Sequence, residues 1–442
     1  MTKPDFTIQT LGEAVIPSPV TLSTVTGDYV ANYTEDDECI LHAIGYSSSQ
    51  ASLTCEKNQL IEKAGARPKI YFDPAGTHAG IVTCGGLSPG LNDVIRAIVM
   101  CLAYDYGVSH ITGFRFGYRG LLPELGHEPI ALSPDVVKDI HKSGGTILGA
   151  SRGYGERTAD MVDTLAEKKV NILFAIGGDG TQRGALDLCR LIKERGLDIA
   201  VIGIPKTIDN DLSYVQQSFG FQTSVSRAVD AIRTAHTEAY DAINGIGLVK
   251  VMGRQSGYIA AETALAASDV NFVLVPEVPF ELDGENGFLS HLEKRLARRH
   301  HAVVLVAEGA GQDLLDRTNK TDASGNLVLS DIGLFLKLRI GEYFKKRGME
   351  INLKYIDPSY IIRGTPANAY DSVYCLRLGT NAVHAAMAGK TAMLISMMHN
   401  YLVHVPTALT VSKKNLIDPD GTLWRDVITA TGQPMLMTNG TR

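Results

Sequence analysis

Two stretches near the middle of the chain combine residue types that handle phosphate and protons. Ala175–Thr181 reads AIGGDGT, and Pro205–Asp211 reads PKTIDND. In the first, glycines let backbone N–H groups approach phosphate oxygens. Asp179 stands among them as an oxygen ligand for Mg²⁺, a hard cation that keeps several waters. In the second, Lys206 supplies a cation, while Asp209 and Asp211 supply two carboxylates two positions apart. One of them can deprotonate an alcohol while the other assists a metal. A third stretch, Gly85-Gly86-Leu87-Ser88-Pro89-Gly90, follows an apolar run and opens a helical pattern, where a helix N-terminus can meet an anion. Read singly, each stretch also fits a bland local role, because Asp and Thr cap helices and Asp and Asn form turns. Read together, they describe a site that holds a magnesium polyphosphate and takes a proton from an alcohol. That is the chemistry of a small-molecule kinase.

Such loops need rigid elements behind them. Ala79–Cys84, Asn171–Ile176, Ile199–Ile204, Gly247–Met252, Asn271–Val275 and Ala302–Ala307 read as strands, with helical patterns between most of them. Asp93–Tyr106 has helical spacing, and after GGDGT a helix places Ala185, Leu188, Cys189 and Ile192 on one face, with Gly196 as its stop. Strands this continuously apolar suit a parallel sheet covered on both faces, and their alternation with helices points to an α/β doubly wound fold. Ligands of such folds sit beyond the carboxyl ends of strands, where the glycine-rich turns fall here. The polar stretch Gln312–Ser330 reads as an exposed loop.

Residues 1–77 are proline-dotted, with an acidic patch at Glu35–Glu38 and a polar run at Ser47–Ser52. They read as an N-terminal extension whose apolar stretches, Val15–Val20, Tyr29–Tyr33 and Ile70–Phe72, are expected to pack on the body. The length of 442 residues allows two or three domains. A content of 45% hydrophobic and 20% charged residues suits a globular enzyme. A net charge of −6 gives no general pull towards nucleic acid or an anionic membrane, so anionic substrates must be met by local Lys and Arg clusters. The six cysteines form no CxxC pair and read as reduced thiols. With no signal-peptide pattern and no apolar run of ~18 residues, a soluble cytoplasmic protein is expected.

Seven blocks occur in order: GIVTCGGLSPGLN, LGASRG (Leu148–Gly153), AIGGDGT, PKTIDND, VMGRQSG (Val251–Gly257), VAEGAG (Val306–Gly311) and YIIRGTP (Tyr360–Pro366). From Ala79 to Thr410 the chain resembles the 6-phosphofructokinase family, most closely its long-chain ATP-dependent subgroup, which is related to the pyrophosphate-dependent enzymes. GGDGT alone recurs in NAD and lipid kinases, but the MGR and YIIRG blocks have no place there.

The resemblance implies two Rossmann-like three-layer domains with largely parallel sheets and an active site in the cleft between them. Residues 79–220 and 362–410 would bind the nucleotide and 221–361 the sugar phosphate, flanked by an extension, 1–78, and a C-terminal segment, 411–442. It further implies transfer of a phosphoryl group to the 1-hydroxyl of fructose 6-phosphate. Asp209 would be the general base, with Thr207 beside it. Asp179 would hold Mg²⁺ with support from Asp211, and Arg152 and Lys206 would neutralise the transferring group. Gly86, Arg152, Arg157, Gly178, Asp179, Gly180 and Thr181 would line the ATP phosphates. Thr207, Asp209, Asp211, Met252, Gly253, Arg254, Glu308, Lys354, Tyr360 and Arg363 would bind the sugar phosphate.

The family also implies a homo-oligomer, a dimer or tetramer, under allosteric control. Many bacterial members reach the sugar 6-phosphate with arginines of a neighbouring subunit. Here Lys354 stands near one such position and Gly245 near the other, and a lysine lacks the two-pronged bond of arginine. Two positions report on the phosphoryl donor. Pyrophosphate-dependent members carry a second aspartate where Gly180 stands, which repels the nucleotide α-phosphate. They share the lysine at Lys206. A carboxylate excludes ATP whereas a lysine only adds favourable charge, so ATP is the expected donor. The alternatives are a pyrophosphate-dependent enzyme and a catalytically silent regulatory subunit, although the latter would be expected to lack Asp209 or Asp179.

Overall fold

The structure is a computed structural model that describes residues 4–45, 57–316, 321 and 327–440. Its principal strands are β1 (His78–Thr83), β2 (His110–Phe114), β3 (Ile130–Ala131), β4 (Ile172–Gly177), β5 (Ala200–Pro205), β6 (Gly245–Val251), β7 (Phe272–Leu274), β8 (His301–Ala307), β9 (Asn352–Ile356), β10 (Met393–Met398) and β11 (Tyr401–Pro406). The helices that cover them are α1 (Leu91–Met100), α2 (Thr158–Glu167), α3 (Asp179–Glu194), α4 (Phe221–Tyr240), α5 (Tyr258–Ala267), α6 (Phe288–Arg299), α7 (Ile332–Lys346) and α8 (Ala369–Met387). The chain divides into two units. Unit 1 takes the described residues up to Thr207, then Leu212–Gly220 and Thr365–Lys414; unit 2 takes Ile208–Asp211, Phe221–Gly364 and the residues from Asn415 onwards.

Unit 1 is built on a seven-stranded sheet in the order β11-β10-β5-β4-β1-β2-β3. The five inner strands run parallel, and an antiparallel strand closes each edge. Its strands are apolar on both sides because both faces are buried. Ile81, Phe174 and Ile202 face α1 and α8, whereas Val82, Leu173 and Val201 face α2 and α3. Unit 2 has an all-parallel sheet in the order β7-β8-β6-β9. Val249, Val251 and Leu305 pack under α4 and α5, and Leu248, Val304 and Val306 under α6 and α7.

The expected helix from Asp93 is observed as α1, followed by a π turn over Cys101–Asp105. Gly196, with φ +63°, follows the end of α3. The β10–β11 hairpin is absent from the sequence reading. Its turn residues His399 and Asn400 both take positive φ, 51° and 67°, which matches the right-handed twist of the strands it joins.

The N-terminal residues belong to unit 1. Gln9–Thr10 pairs antiparallel with Lys390–Thr391, and Ile16–Pro17 with Lys69–Ile70. Phe6 and Ile61 are buried against Leu394, Val403 and Val405. Of the expected apolar stretches, Val15–Val20 packs through Ile16 and Val20 while Val15 is exposed, Tyr29 and Val30 are exposed, and Ile70 and Phe72 are buried, as are Phe6 and Ile61. Buried cations also hold this region, as they must be paired to be tolerated. Arg67 and Lys390 each reach Glu62, at 2.7 and 2.6 Å, and Asp36, at 2.8 and 3.0 Å. Burial opposes the charge on Glu62, but the His404 hydrogen bond and the Lys390 ammonium outweigh it and bring its pKa down to about 2.

The run Ser47–Ser52 lies outside the described residues, as does much of Gln312–Ser330, whose described start is a 3₁₀ turn at Gln312–Leu314. Cys84, Cys101, Cys189 and Cys375 are buried free thiols and Cys39 an exposed one; Cys55 lies outside the described residues. Burial pushes Cys84 and Cys189 up to about 12. Among the described residues no helix is long and apolar enough to cross a membrane.

Candidate active site

In unit 1 the chain leaves β1 towards β2 and β3, then returns to β4 on the other side of β1 and continues to β5 and β10. The reversal lies between β1 and β4, the kind of point at which α/β sheets bind ligands beyond their carboxyl ends. The GGLSPG turn leaves β1 and the GGDGT turn leaves β4. Lys206 follows β5, and its N–H donates to Gly177 O at 3.0 Å. Its side chain is buried, and Nζ donates to Gly86 O at 2.6 Å. The block carrying Arg152 is pinned alongside, since Gly85 N–H donates to Ser151 O at 2.8 Å, and Arg152 itself is exposed.

Gly178 is the N-cap of α3, and Asp179 its first residue, where a carboxylate suits the positive end of the helix. The Asp179 carboxylate lies 3.2 Å from Arg183 Nε and 3.5 Å from Lys414 Nζ. Gly180 is exposed, and a Cβ there would meet nothing within 4 Å, so no packing or backbone demand explains the glycine. Thr181 is buried, with its carbonyl accepting from Tyr118 Oη at 2.6 Å. Thr207 is half-buried, and its carbonyl accepts from Ser218 Oγ. Arg157 caps α2, and its guanidinium is engaged by Asp160 and, at 2.8 Å, by Glu124. Sequence reasoning missed Arg183 and Lys414, which lie outside the seven blocks.

Unit 2 repeats the logic with β6 and β8, neighbours whose outgoing connections run in opposite directions. Met252-Gly253-Arg254 leaves β6 and Glu308 leaves β8, and Glu308 N–H donates to Val251 O at 2.9 Å. Gly253 has φ +128°, and a Cβ there would meet Ser256 O at 2.5 Å, so only glycine fits. Burial pushes the Glu308 carboxyl up, opposed by the nearby Arg254, Lys250 and Arg363. Lys250 is bound by Asp331 and Asp357 at 2.9 Å each. Burial works against its charge, and the two carboxylates more than offset that and raise its pKa. Asp357 leads into the segment where Arg363 lies over the exposed Tyr360 ring, 4.9 Å from its centroid.

The loop Ile208–Asp211 also belongs to unit 2, where three successive carbonyls are held. Asp209 O accepts from Ser256 Oγ at 3.1 Å, Asn210 O from Asn415 Nδ2 at 3.2 Å, and Asp211 O from Asn415 N–H at 2.9 Å. Asn210 has φ +54°, a left-handed conformation that Asn tolerates better than most residues. Asn415 and its neighbour are tied down in turn: Tyr258 Oη donates to Leu416 O at 3.0 Å and to Asn415 Oδ1 at 3.3 Å. The Glu277 carboxylate accepts from Gly257 N–H at 2.9 Å and Ile417 N–H at 3.0 Å.

Lys354 is not brought to the other sugar-side residues of its own chain. It is exposed on β9 in register with Gly247, roughly 13 Å of strand short of Val251, and lies 3.9 Å from Glu238. Gly245 leaves no room for a side chain, because its Cβ would meet Ala239 O at 2.0 Å under α4. Among the described residues no cluster of three or more His, Cys, Asp or Glu side chains could hold a metal by itself. Single carboxylates such as Asp179 suit Mg²⁺ carried largely by phosphate oxygens and water.

The chain matches the family model described as phosphofructokinase over residues 78–386. It is 52% identical over 442 residues to the ATP-dependent 6-phosphofructokinase of Borreliella burgdorferi, with 98% of both chains covered. It is 50% identical over 441 residues to that of Amycolatopsis methanolica, covering 97% of this chain and 95% of the relative. In fold it is similar to the pyrophosphate-dependent phosphofructokinase of Marinobacter aquaeolei (TM-score 0.65, 21% identity, 80% of this chain and 91% of the other). A second similar structure is the T-state phosphofructokinase of Pichia pastoris (TM-score 0.63, 21% identity, 86% of this chain and 39% of the other).

Proposed function

The chain belongs to the phosphofructokinase family, and from that membership we propose that it transfers the γ-phosphoryl group of ATP to the 1-hydroxyl of fructose 6-phosphate, yielding fructose 1,6-bisphosphate and ADP in glycolysis. The observation that carries ATP as donor is Gly180, an exposed glycine at the start of α3 that neither backbone nor packing requires. A nucleotide needs that space open, and pyrophosphate does not.

In this reading Gly86, Gly178, Gly180, Thr181 and Arg157 line the phosphates. Asp179, with support from Asp211, would hold Mg²⁺, which would neutralise charge on the phosphate oxygens. Asp209 accepts the proton of the 1-hydroxyl, with Thr207 beside it. Lys206 and Arg152 stabilise the negative charge on the transferring group, usually the largest contribution in such sites. Met252, Gly253, Arg254, Tyr360 and Arg363 grip the sugar phosphate, and the Glu308 carboxylate accepts hydrogen bonds from its hydroxyls. Lys354 reaches the sugar 6-phosphate of a neighbouring copy in a dimer or tetramer, a reading that a monomeric mass by light scattering would sink. A cytoplasmic setting and allosteric control belong to the same proposal.

A coupled assay with fructose 6-phosphate, Mg²⁺ and either ATP or pyrophosphate tests the activity. Turnover with ATP and little with pyrophosphate is expected. Turnover with pyrophosphate alone would overturn the donor assignment, and none with either would overturn the enzyme reading.

A further inference from the structure

We propose that Asn415 is a positioning residue for the general base, fixing the Ile208–Asp211 loop from outside every motif of the site. This rests on the reading of Asp209 as the base. A base must sit within hydrogen-bond reach of its proton and at the right angle, and a misplacement of about 1 Å can cost about a hundredfold in rate. A four-residue loop does not hold such a geometry alone, least of all one with a left-handed residue at its centre. Asn210 has φ +54° between the two acids, a left-handed conformation open to Asn, and contacts around the loop select it over the alternatives.

Asn415 and Ser256 are among those contacts. Asn415 bonds two consecutive carbonyls, its side-chain amide holding Asn210 O and its backbone N–H holding Asp211 O. Ser256 Oγ takes the third, Asp209 O. All three bonds fall on backbone carbonyls of the loop. The clasp is itself anchored. Tyr258 Oη donates to Asn415 Oδ1 and Leu416 O, and Glu277 joins Ile417 N–H to Gly257 N–H. Ser256 ends the segment that begins at Met252-Gly253-Arg254. The sugar-side arginine and the base loop therefore share one hydrogen-bonded frame within unit 2.

Steady-state kinetics on Asn415→Ala, Asn415→Asp and Ser256→Ala test this, together with melting temperatures and the benchmark Asp209→Asn. Asn415→Ala is expected to lower kcat about 10–100-fold while the KM values for ATP and fructose 6-phosphate stay within about twofold. Asn415→Asp keeps the shape and the acceptor for Tyr258 but loses the amide donor, so it is expected to fall as far as Asn415→Ala. Ser256→Ala should show a smaller fall of the same kind. A parental kcat in Asn415→Ala, or full activity in Asn415→Asp, overturns the proposal. So does a fall in kcat that tracks only the loss of folded protein. If Asn415→Ala fails to fold, Ser256→Ala decides by the same split between kcat and KM. A near-parental Asp209→Asn would sink the base assignment itself, whereas a collapsed Asp209→Asn beside an unaffected Asn415→Ala would sink only the clasp.

Discussion

The two loops that carry the candidate catalytic aspartates are held in different ways. Asp179 begins α3 in unit 1, and its carboxylate is occupied by the side chains of Arg183 and Lys414, the former more than half exposed. Asp209 and Asp211 sit in unit 2 on a loop whose carbonyls are bonded by Ser256 and Asn415. The first carboxylate is balanced by two side-chain cations, one of them also held by Val411 O at 2.7 Å. The second pair is set by its backbone. Under the proposed function, Asp179 would exchange such partners for the ion, whereas Asp209 would gain from a geometry set in advance.

The largest expected effect tests the fixed loop. Asp209→Asn should lower kcat by about 10²–10⁴-fold, the usual worth of a positioned base, with KM for fructose 6-phosphate little changed. A kcat within tenfold of the parent would remove the chemical reason for fixing that loop. The next effect belongs to the exchangeable side. Gly180→Asp puts a carboxylate into open space, so the melting temperature should stay near parental while kcat/KM for ATP falls by about one to two orders of magnitude through like-charge repulsion. Unchanged ATP kinetics would show that this helix start does not face the nucleotide. The smallest effect concerns the counter-ions themselves. Arg183→Ala removes one competitor for the Asp179 carboxylate, and an exposed pair is worth only about 0–1 kcal/mol. The Mg²⁺ concentration for half-maximal activity, and for half-maximal thermal stabilisation by ATP, should therefore fall by at most a few-fold. A loss of activity as deep as that of Asn415→Ala would erase the contrast between the two loops.

The same contrast explains what could be read from residue order. β1, β4, β5, β6 and β8 are legible because both sides of each strand are buried, which leaves continuous apolar runs. The motif glycines and acids are legible because their spacing is local. The hairpin of β10 and β11 is not, since its His399-Asn400 turn carries no glycine to announce the two positive φ angles. Within the apolar stretches of the N-terminal region, hydrophobicity alone does not say which side chain finds a neighbour: Ile16 and Val20 pack on the core, whereas Val15, Tyr29 and Val30 are exposed. Lys414 and Asn415 are invisible for a different reason. They lie in a polar run, SKKN, that has no meaning until the fold brings Lys414 to Asp179 and Asn415 to Asn210.

The order in which the chain is threaded through its two units sets when the enzyme comes into being during translation. A nascent chain that has emerged as far as Gly364 already contains all four strands of the unit 2 sheet and every one of the acids discussed above. It still lacks β10 and β11, so the larger sheet has no finished edge beside β5, and it lacks the residue that bonds the carbonyls of Asn210 and Asp211. Domains generally acquire structure as they leave the ribosome. Here the unit 2 sheet is complete early, but the unit still lacks Ile417, Trp424 and Val427 of its core, and the Ile208–Asp211 loop lacks its Asn415 bonds until that residue arrives. A ribosome-bound intermediate would thus carry the candidate acids on a unit whose core is still open.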